Sequence, residues 1–186
     1  MAGGVCPVWV GYLLASPVRK LLQNPEKILS PYVKKGMKVL DVGSAMGFFS
    51  LPLARMVGTN GKVICVDMQE RMIQSLKKRA RKARLSDRIE LRICNQNSLC
   101  LDEFKEKIDF AFASAVVHEV TDASSFFSEI YEVIKQGGKF LVLEPKGHVT
   151  KKDFEVSILV AGKSGFSVID KPKTPRSRSV LFAKVS

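Results

Sequence analysis

The segment Val39-Leu-Asp-Val-Gly-Ser-Ala-Met-Gly47 carries a carboxylate, Asp41, at the end of an apolar run and then turns through Gly43. Glycine lets the backbone take positive φ and pass close to a ligand. The amide N–H groups of such a turn open toward the start of the next helix, so a nucleotide-like ligand fits at the carboxyl edge of this strand. An ordinary tight strand-to-helix turn would use the same residues. A second carboxylate, Asp67, closes the run Lys62–Asp67. At a strand end it can accept both hydroxyl hydrogens of a ribose, cap the following helix, or do both. The separation of Gly43 and Asp67 suits two adjacent strand ends of a βαβ unit, and the pair is far more specific than either residue alone.

The elements that must position these residues follow from the hydrophobic pattern. Lys38–Val42 and Lys62–Asp67 read as buried strands, followed by helices near Phe48–Val57 and Gln69–Ala83. Pro52 is tolerable near a first helical turn, where its missing N–H is no loss. In the second helix Met72, Ile73, Leu76, Ala80 and Ala83 form one stripe. Further strands are expected at Ile89–Cys94, Ile108–Ala113 and Lys139–Glu144. A helix over Ser124–Ile134 should bury Phe127, Ile130 and Ile134 and stop at Gly137. Thr150 can cap another, with Phe154, Ile158 and Ala161 facing inward. The tail reads as two strands, Phe166–Lys171 and Val180–Val185, joined by the basic loop Pro172–Ser179. Alternating strands and helices imply a parallel sheet covered on both faces. The last two strands lack a helix between them, so at least one should run antiparallel. Ahead of Lys38 extra helix is expected, capped at Asn24 before Pro25.

These residues resemble the class I S-adenosylmethionine-dependent methyltransferases, over nearly the whole chain. The resemblance implies a Rossmann-like three-layer α/β sandwich with a seven-stranded, mostly parallel sheet and an antiparallel last strand. It implies that the loop Asp41, Gly43, Ser44, Ala45 and Gly47 holds the methionine end of the cofactor. Asp67 would bind the ribose, with Met68 beside the adenine and Asn97-Ser98 capping it. Two departures from the family pattern stand out: Ala45 replaces the middle glycine of the loop, and Asn97 replaces an aspartate with an uncharged amide. The run Ile108-Asp-Phe-Ala-Phe-Ala-Ser-Ala-Val-Val-His-Glu119 looks like the fourth strand and active-site loop of the small-molecule members. Ubiquinone- and menaquinone-biosynthesis enzymes and arsenite methyltransferases are relatives of that kind. Ala113 and Ser114 would then lie beside the methionine portion, and His118 would project toward the methyl group.

An imidazole titrates near neutral pH, so His118 could accept a proton from the methyl acceptor. It could equally organise the loop through a backbone carbonyl. Glu144 and His148 follow the fifth strand on the same edge and either border the substrate pocket or, the favoured reading, serve structure alone. Little further chemistry is required, because the sulfonium already activates the methyl group. Alignment of the reacting atoms can lower a barrier by roughly 7–11 kcal/mol.

Composition limits the alternatives. The chain has 186 residues, 46% of them hydrophobic, which fits one domain with a sizeable core. Residues 1–36 read as an N-terminal helical or lid segment and 37–186 as the cofactor-binding core. The formal charge of +12 favours anionic partners such as nucleic acid, acidic lipid surfaces or phosphorylated substrates. Arg71, Lys77, Lys78, Arg79, Arg81, Lys82, Arg84 and Arg88 surround one helical stripe without aromatic residues for stacking bases, so a solvated face is favoured over an RNA-binding one. None of Cys6, Cys65, Cys94 and Cys100 forms a CxxC pair, which argues against a zinc site or disulfide framework and suits the cytoplasm. The apolar stretch 5–15 is too short to span a bilayer, lacks a preceding cation, and reads as core packing or an amphipathic lid through Val8, Trp9, Tyr12 and Leu13.

The expectation is therefore methyl transfer from S-adenosylmethionine to a small molecule, giving S-adenosylhomocysteine. The alternatives are an RNA or protein methyltransferase, a nicotinamide-dependent Rossmann oxidoreductase, or a non-catalytic S-adenosylmethionine-binding module. The oxidoreductase would prefer a strict GxGxxG turn, which Gly43–Phe48 does not supply.

Overall fold

The computed structural model describes residues 23–185. Cys6, the apolar stretch 5–15 and most of the expected N-terminal lid lie outside the described residues. Helix α1 (Pro25–Leu29) comes first, and the Asn24 side chain caps it by accepting from the Lys27 amide at 3.1 Å. Then follow β1 (Lys38–Val42), α2 (Ser50–Met56), β2 (Lys62–Asp67), α3 (Glu70–Lys82) and β3 (Ile89–Ile93). The second half comprises β4 (Ile108–Ser114), α4 (Ala123–Val133), β5 (Ile134–Pro145), α5 (Lys151–Lys163), β6 (Phe166–Asp170) and β7 (Ser177–Lys184). Pro52 stands in the first turn of α2, where its missing N–H has no partner to lose.

The strands form one seven-stranded sheet in the order β3-β2-β1-β4-β5-β7-β6. Neighbours from β3 through β5 are parallel, and β7 runs antiparallel between β5 and β6. Successive strand residues face opposite sides, so two separate cores form. On one side Leu40, Val42, Ile64 and Val66 pack with Phe127 and Ile130 of α4 and Phe154 and Ile158 of α5. On the other, Val39, Val63, Phe110 and Phe112 pack with Leu29, Leu53 and Leu76 of α1, α2 and α3. The winding reverses where β1 lies between β2 and β4. Open α/β sheets bind ligands at the carboxyl edge of such a switch point.

One expectation needs correction. Helix α4 ends at Val133, and Ile134 is already extended, the first residue of β5 rather than an inward-facing helical residue. Gly137, at φ +74°, belongs to an irregular stretch of β5 and is not the helix stop. The terminator comes from far along the chain: the buried Lys184 ammonium donates to the Tyr131 and Ile134 carbonyls at 3.0 Å each. A cation is favoured at a helix carboxyl end, where the last carbonyls lack intrahelical donors. Ile134 is nonetheless buried as expected, in the same core as Phe127 and Ile130, and Val133 is the last buried residue of the helix itself.

Candidate functional site

The loop after β1 is built on three left-handed residues, Gly43 (φ +69°), Ala45 (+46°) and Gly47 (+84°). At the two glycines a Cβ would also collide with a neighbour, Val116 Cγ2 over Gly43 and Leu76 Cδ1 over Gly47. Ala45 adopts the left-handed conformation despite its methyl group, at a cost of about 1–2 kcal/mol. Hydrogen bonds offset that strain. The Gly43 and Ser44 amides both donate to the Val66 carbonyl, at 2.9 and 3.0 Å. Ala45 N–H donates to Asp67 Oδ2 at 2.8 Å, and the Arg79 guanidinium on α3 donates to the Met46 carbonyl at 2.5 Å. Arg79 thus departs from the solvated face expected for the basic helix, whereas Arg71, Lys77, Lys78, Arg81 and Lys82 are exposed.

Asp67 fastens both neighbouring loops, since its Oδ1 also accepts from the Gln69 amide at 2.9 Å. Burial raises its pKa, opposed by the amides of Gln69, Ala45 and Met68. A carboxylate offers about four lone-pair sites, so acceptor capacity is left for ribose hydroxyls. Met68 beside it is exposed. Asp41, by contrast, is buried under the loop and accepts from the Ser50 hydroxyl at 2.5 Å. Burial pushes its pKa to about 7 against the Ser50 hydrogen bond, with the Asp67 charge adding to the rise. Ser44 supplies the clearest sign of a ligand: among the described residues its buried hydroxyl has no hydrogen-bond partner. An orphan of this kind costs about 1–3 kcal/mol unless something polar meets it.

Past β3, Asn95 Oδ1 accepts from the amides of Asn97 and Ser98 at 2.8 and 2.9 Å, folding the segment into a turn. Asn97 is left exposed. The Ser98 hydroxyl donates to Glu129 Oε2 on α4 at 2.9 Å, and the Leu99 amide joins it at 2.8 Å. Asn95 and Glu129 were not singled out from the sequence. The spacing Asn95-x-Asn-Ser hinted at a local turn, but nothing pointed to Glu129.

At the end of β4, Ala113 pairs in register with Val42 of β1, and Ser114 pairs with Leu143 of β5. Ala115 turns the chain at φ +59°, leading into a single 3-10 turn, Val117–Glu119. Glu144 of β5, 1% exposed, organises this turn. Its Oε1 accepts from the amides of Val116 and Val117 at 3.0 and 2.9 Å, and its Oε2 meets His118 Nδ1 at 2.5 Å. The partner of His118 is therefore this carboxylate, not a backbone carbonyl. The Glu144 contact raises the His118 pKa, more than burial lowers it. His118 Nε2 stands 4.0 Å from Glu119 Oε1, and its ring lies 6.3 Å from that of His148. Burial raises the Glu119 pKa as well, with the His118 charge opposing. The sequence weighed Glu144 as structural; it is structural, and it also sets the orientation of the imidazole.

The carboxyl ends of β1, β2, β4 and β5 thus bring together a strained loop, the amide-bonded Asp67 carboxylate, an unpartnered hydroxyl and a carboxylate-held histidine. S-adenosylmethionine fits this set: the unpartnered Ser44 hydroxyl presents a donor to an anionic end, and Asp67 keeps acceptor capacity for hydroxyls. A family model described as a methyltransferase domain matches residues 33–175. The ubiquinone/menaquinone biosynthesis C-methyltransferase UbiE of Pectobacterium atrosepticum is 31% identical over 121 residues, 64% of this chain and 47% of that protein. The UbiE protein of Haemophilus ducreyi is 31% identical over 112 residues, 60% of this chain and 42% of its own. The chain therefore spans about half the length of the curated relatives it matches. A crystal structure of an S-adenosylmethionine-dependent methyltransferase from Aquifex aeolicus superposes with a TM-score of 0.86 at 27% identity, covering 97% of this chain and all of that one. The chain belongs to the methyltransferase-domain family, with the fold and cofactor class of the class I S-adenosylmethionine-dependent enzymes.

Proposed function

We propose that this protein transfers a methyl group from S-adenosylmethionine to a small-molecule acceptor, with His118 as proton acceptor at the mouth of the site. The observation that carries the reading is the His118–Glu144 pair, poised on the sheet edge shared by Gly43 and Asp67. The cofactor, when bound, supplies a methyl carbon already activated by its sulfonium. Asp41, Gly43, Ser44, Ala45 and Gly47 form or support the cradle for its methionine end, with Ala113 and Ser114 alongside. Asp67 takes the ribose hydroxyls, and Met68, Asn97 and Ser98 border the adenine.

With Oε1 engaged by two amides, Glu144 Oε2 accepts from Nδ1–H of His118 and fixes the tautomer that leaves Nε2 unprotonated. Nε2 then takes the proton that an oxygen, nitrogen or acidic carbon of the acceptor must lose. The buried Glu144 carboxylate stabilises the resulting imidazolium, as in other carboxylate–histidine pairs. Free thiols at Cys65, Cys94 and Cys100 support a reducing compartment, the cytoplasm. Among the described residues no helix is long and apolar enough to cross a membrane.

The test follows tritium from labelled S-adenosylmethionine over a panel of phenolic, amine and acidic-carbon acceptors, using wild type and His118→Asn. Label in an extractable small molecule, with matching S-adenosylhomocysteine and a large loss of turnover in the variant, is expected. Label only in RNA or protein, or no transfer to any acceptor by cofactor-bound enzyme, overturns the proposal.

A further inference from the structure

A groove of about 450 Å³ opens between the start of α5 and the β6–β7 loop. Five cations line it, Lys146, Lys151, Lys171, Lys173 and Arg178, against one carboxylate, Glu155. That carboxylate already pairs with Lys171 at 3.1 Å, and among the described residues Lys146, Lys151 and Lys173 have no carboxylate partner. Several like charges around one small concavity repel one another. A fold tolerates that where an anion is to be bound.

The walls are held in place. Ser179, buried, donates to the Pro172 carbonyl, and Thr174 Oγ1 donates to Ser179 Oγ at 3.0 Å. The Lys146 amide donates to the Arg176 carbonyl at 3.0 Å, tying the turn after β5 to this loop. Arg178 Nε donates to the Val149 carbonyl at 3.0 Å, which leaves the outer guanidinium nitrogens for a ligand. Phe154 and Pro172 add apolar wall, and the volume lies within the range usual for small-molecule sites.

The groove adjoins the chemistry. Arg178 is directly opposite Glu144 in the β5–β7 pairing. It has the same parity as Val180 and Phe182, which share a core with Val142. Glu144 and Arg178 therefore stand on the same face of the sheet, about 4.8 Å apart as neighbouring strands are. The short turn from Pro145 to Val149 contributes Lys146 to the groove and His148 to the ring contact with His118.

We infer that this groove binds the anionic part, a phosphate or diphosphate, of the methyl acceptor, and so selects a phosphorylated small molecule. The inference rests on the methyl-transfer reading above. Clustered lysine point charges beside one arginine fork suit a phosphate with several equivalent oxygens. The acceptor would extend one or two strand widths, roughly 5–10 Å, from its anion to the atom that His118 deprotonates.

The experiment titrates inorganic pyrophosphate into the full chain loaded with S-adenosylhomocysteine, at low and moderate salt. Lys146→Glu/Lys173→Glu is the groove variant, and Lys77→Glu/Lys78→Glu on α3 matches its charge change away from the groove. Expected is saturable one-site binding that weakens with salt, at least tenfold weaker in the groove variant and within twofold of wild type in the α3 variant. No saturable binding to cofactor-loaded protein, or equal weakening by both variants, overturns the groove site. An RNA oligonucleotide that binds more tightly than pyrophosphate and depends on the same lysines overturns the small-molecule assignment. Failure to bind S-adenosylhomocysteine at all is a separate result: it sinks the methyl-transfer reading, and the acceptor assignment with it.

Discussion

The Ala45 amide donates to Asp67 Oδ2 at 2.8 Å, so the carboxylate that ends β2 holds the loop that ends β1. Through its other oxygen the same side chain holds Gln69 at the start of α3. One residue therefore sets the relative position of the two segments expected to embrace opposite ends of the cofactor.

For Asp67→Ala, both affinity and stability should fall. Loss of a charged hydrogen bond is worth about 1.5–3 kcal/mol, which sets the scale at a ten- to hundredfold weaker Kd for S-adenosylhomocysteine by calorimetry. The variant also orphans two amides, so the melting temperature should drop together with affinity. Asp67→Asn retains one acceptor oxygen and should recover part of the stability but less of the affinity. Unchanged binding in Asp67→Ala would return the residue to a purely architectural role.

At Gly43 the backbone is left-handed and Val116 Cγ2 lies where a Cβ would stand. Gly43→Ala should cost more than Gly137→Ala, where φ is also positive but no atom lies within 4 Å of the added Cβ. Conformational cost alone is about 1–2 kcal/mol, and overpacking adds roughly 1–3 kcal/mol. Chemical denaturation measures both. Adding Val116→Ala to Gly43→Ala should restore much of the difference; no restoration would mean that the contact with Val116 is not the source.

Glu144→Gln tests the histidine. Because Glu144 raises the His118 pKa, the neutral base forms only above the ordinary histidine range, and activity should rise with pH through that raised value. In the variant this acid limb should move to lower pH while the maximal rate falls. The stability contribution has the opposite sense. A raised histidine pKa contributes fully below about 6.5 and is lost as pH rises through the folded-state value. The melting temperature gap between wild type and Glu144→Gln should therefore be widest in mild acid.

For Asp41 the sign reverses. Its folded-state pKa is near 7 and its ordinary value 3.8, so the folded protein prefers the proton. Ionisation in the native state destabilises the fold progressively as pH rises from about 4 to 7, by on the order of a few kcal/mol. Asp41→Asn keeps an acceptor for Ser50 and removes the charge. Relative to wild type its melting temperature should climb between pH 4.5 and 8; a pH-independent difference would show that Asp41 ionises without penalty.

The first half of the site was legible because its signals are local. Lys38–Val42 and Lys62–Asp67 are largely buried apolar runs with a carboxylate at or next to their ends, and the glycine turn directly follows the first of them. Glu144 and His118 are 26 residues apart and meet only because β4 and β5 are neighbours. No periodicity records that pairing. Arg79 was hidden in a run of similar cations, and only the tertiary contact with Met46 separates it from them. At the end of α4 the glycine signal misled because the stop is Lys184, some fifty positions away.

The reversed direction of β7 has a consequence for how such proteins diversify. A strand entering the sheet antiparallel beside β5 delivers its preceding loop, residues 171–176, to the edge where the parallel strands deliver theirs. That loop is anchored by its own Thr174–Ser177 bridge and by hydrogen bonds to Ser179, none of which involves β1, β2 or the glycine turn. Its length and charge can drift without disturbing the half of the molecule that holds the methyl donor. If the groove beside it selects the acceptor as inferred above, acceptor choice would sit in a separately mutable module, apart in the chain from the loops proposed to hold the donor.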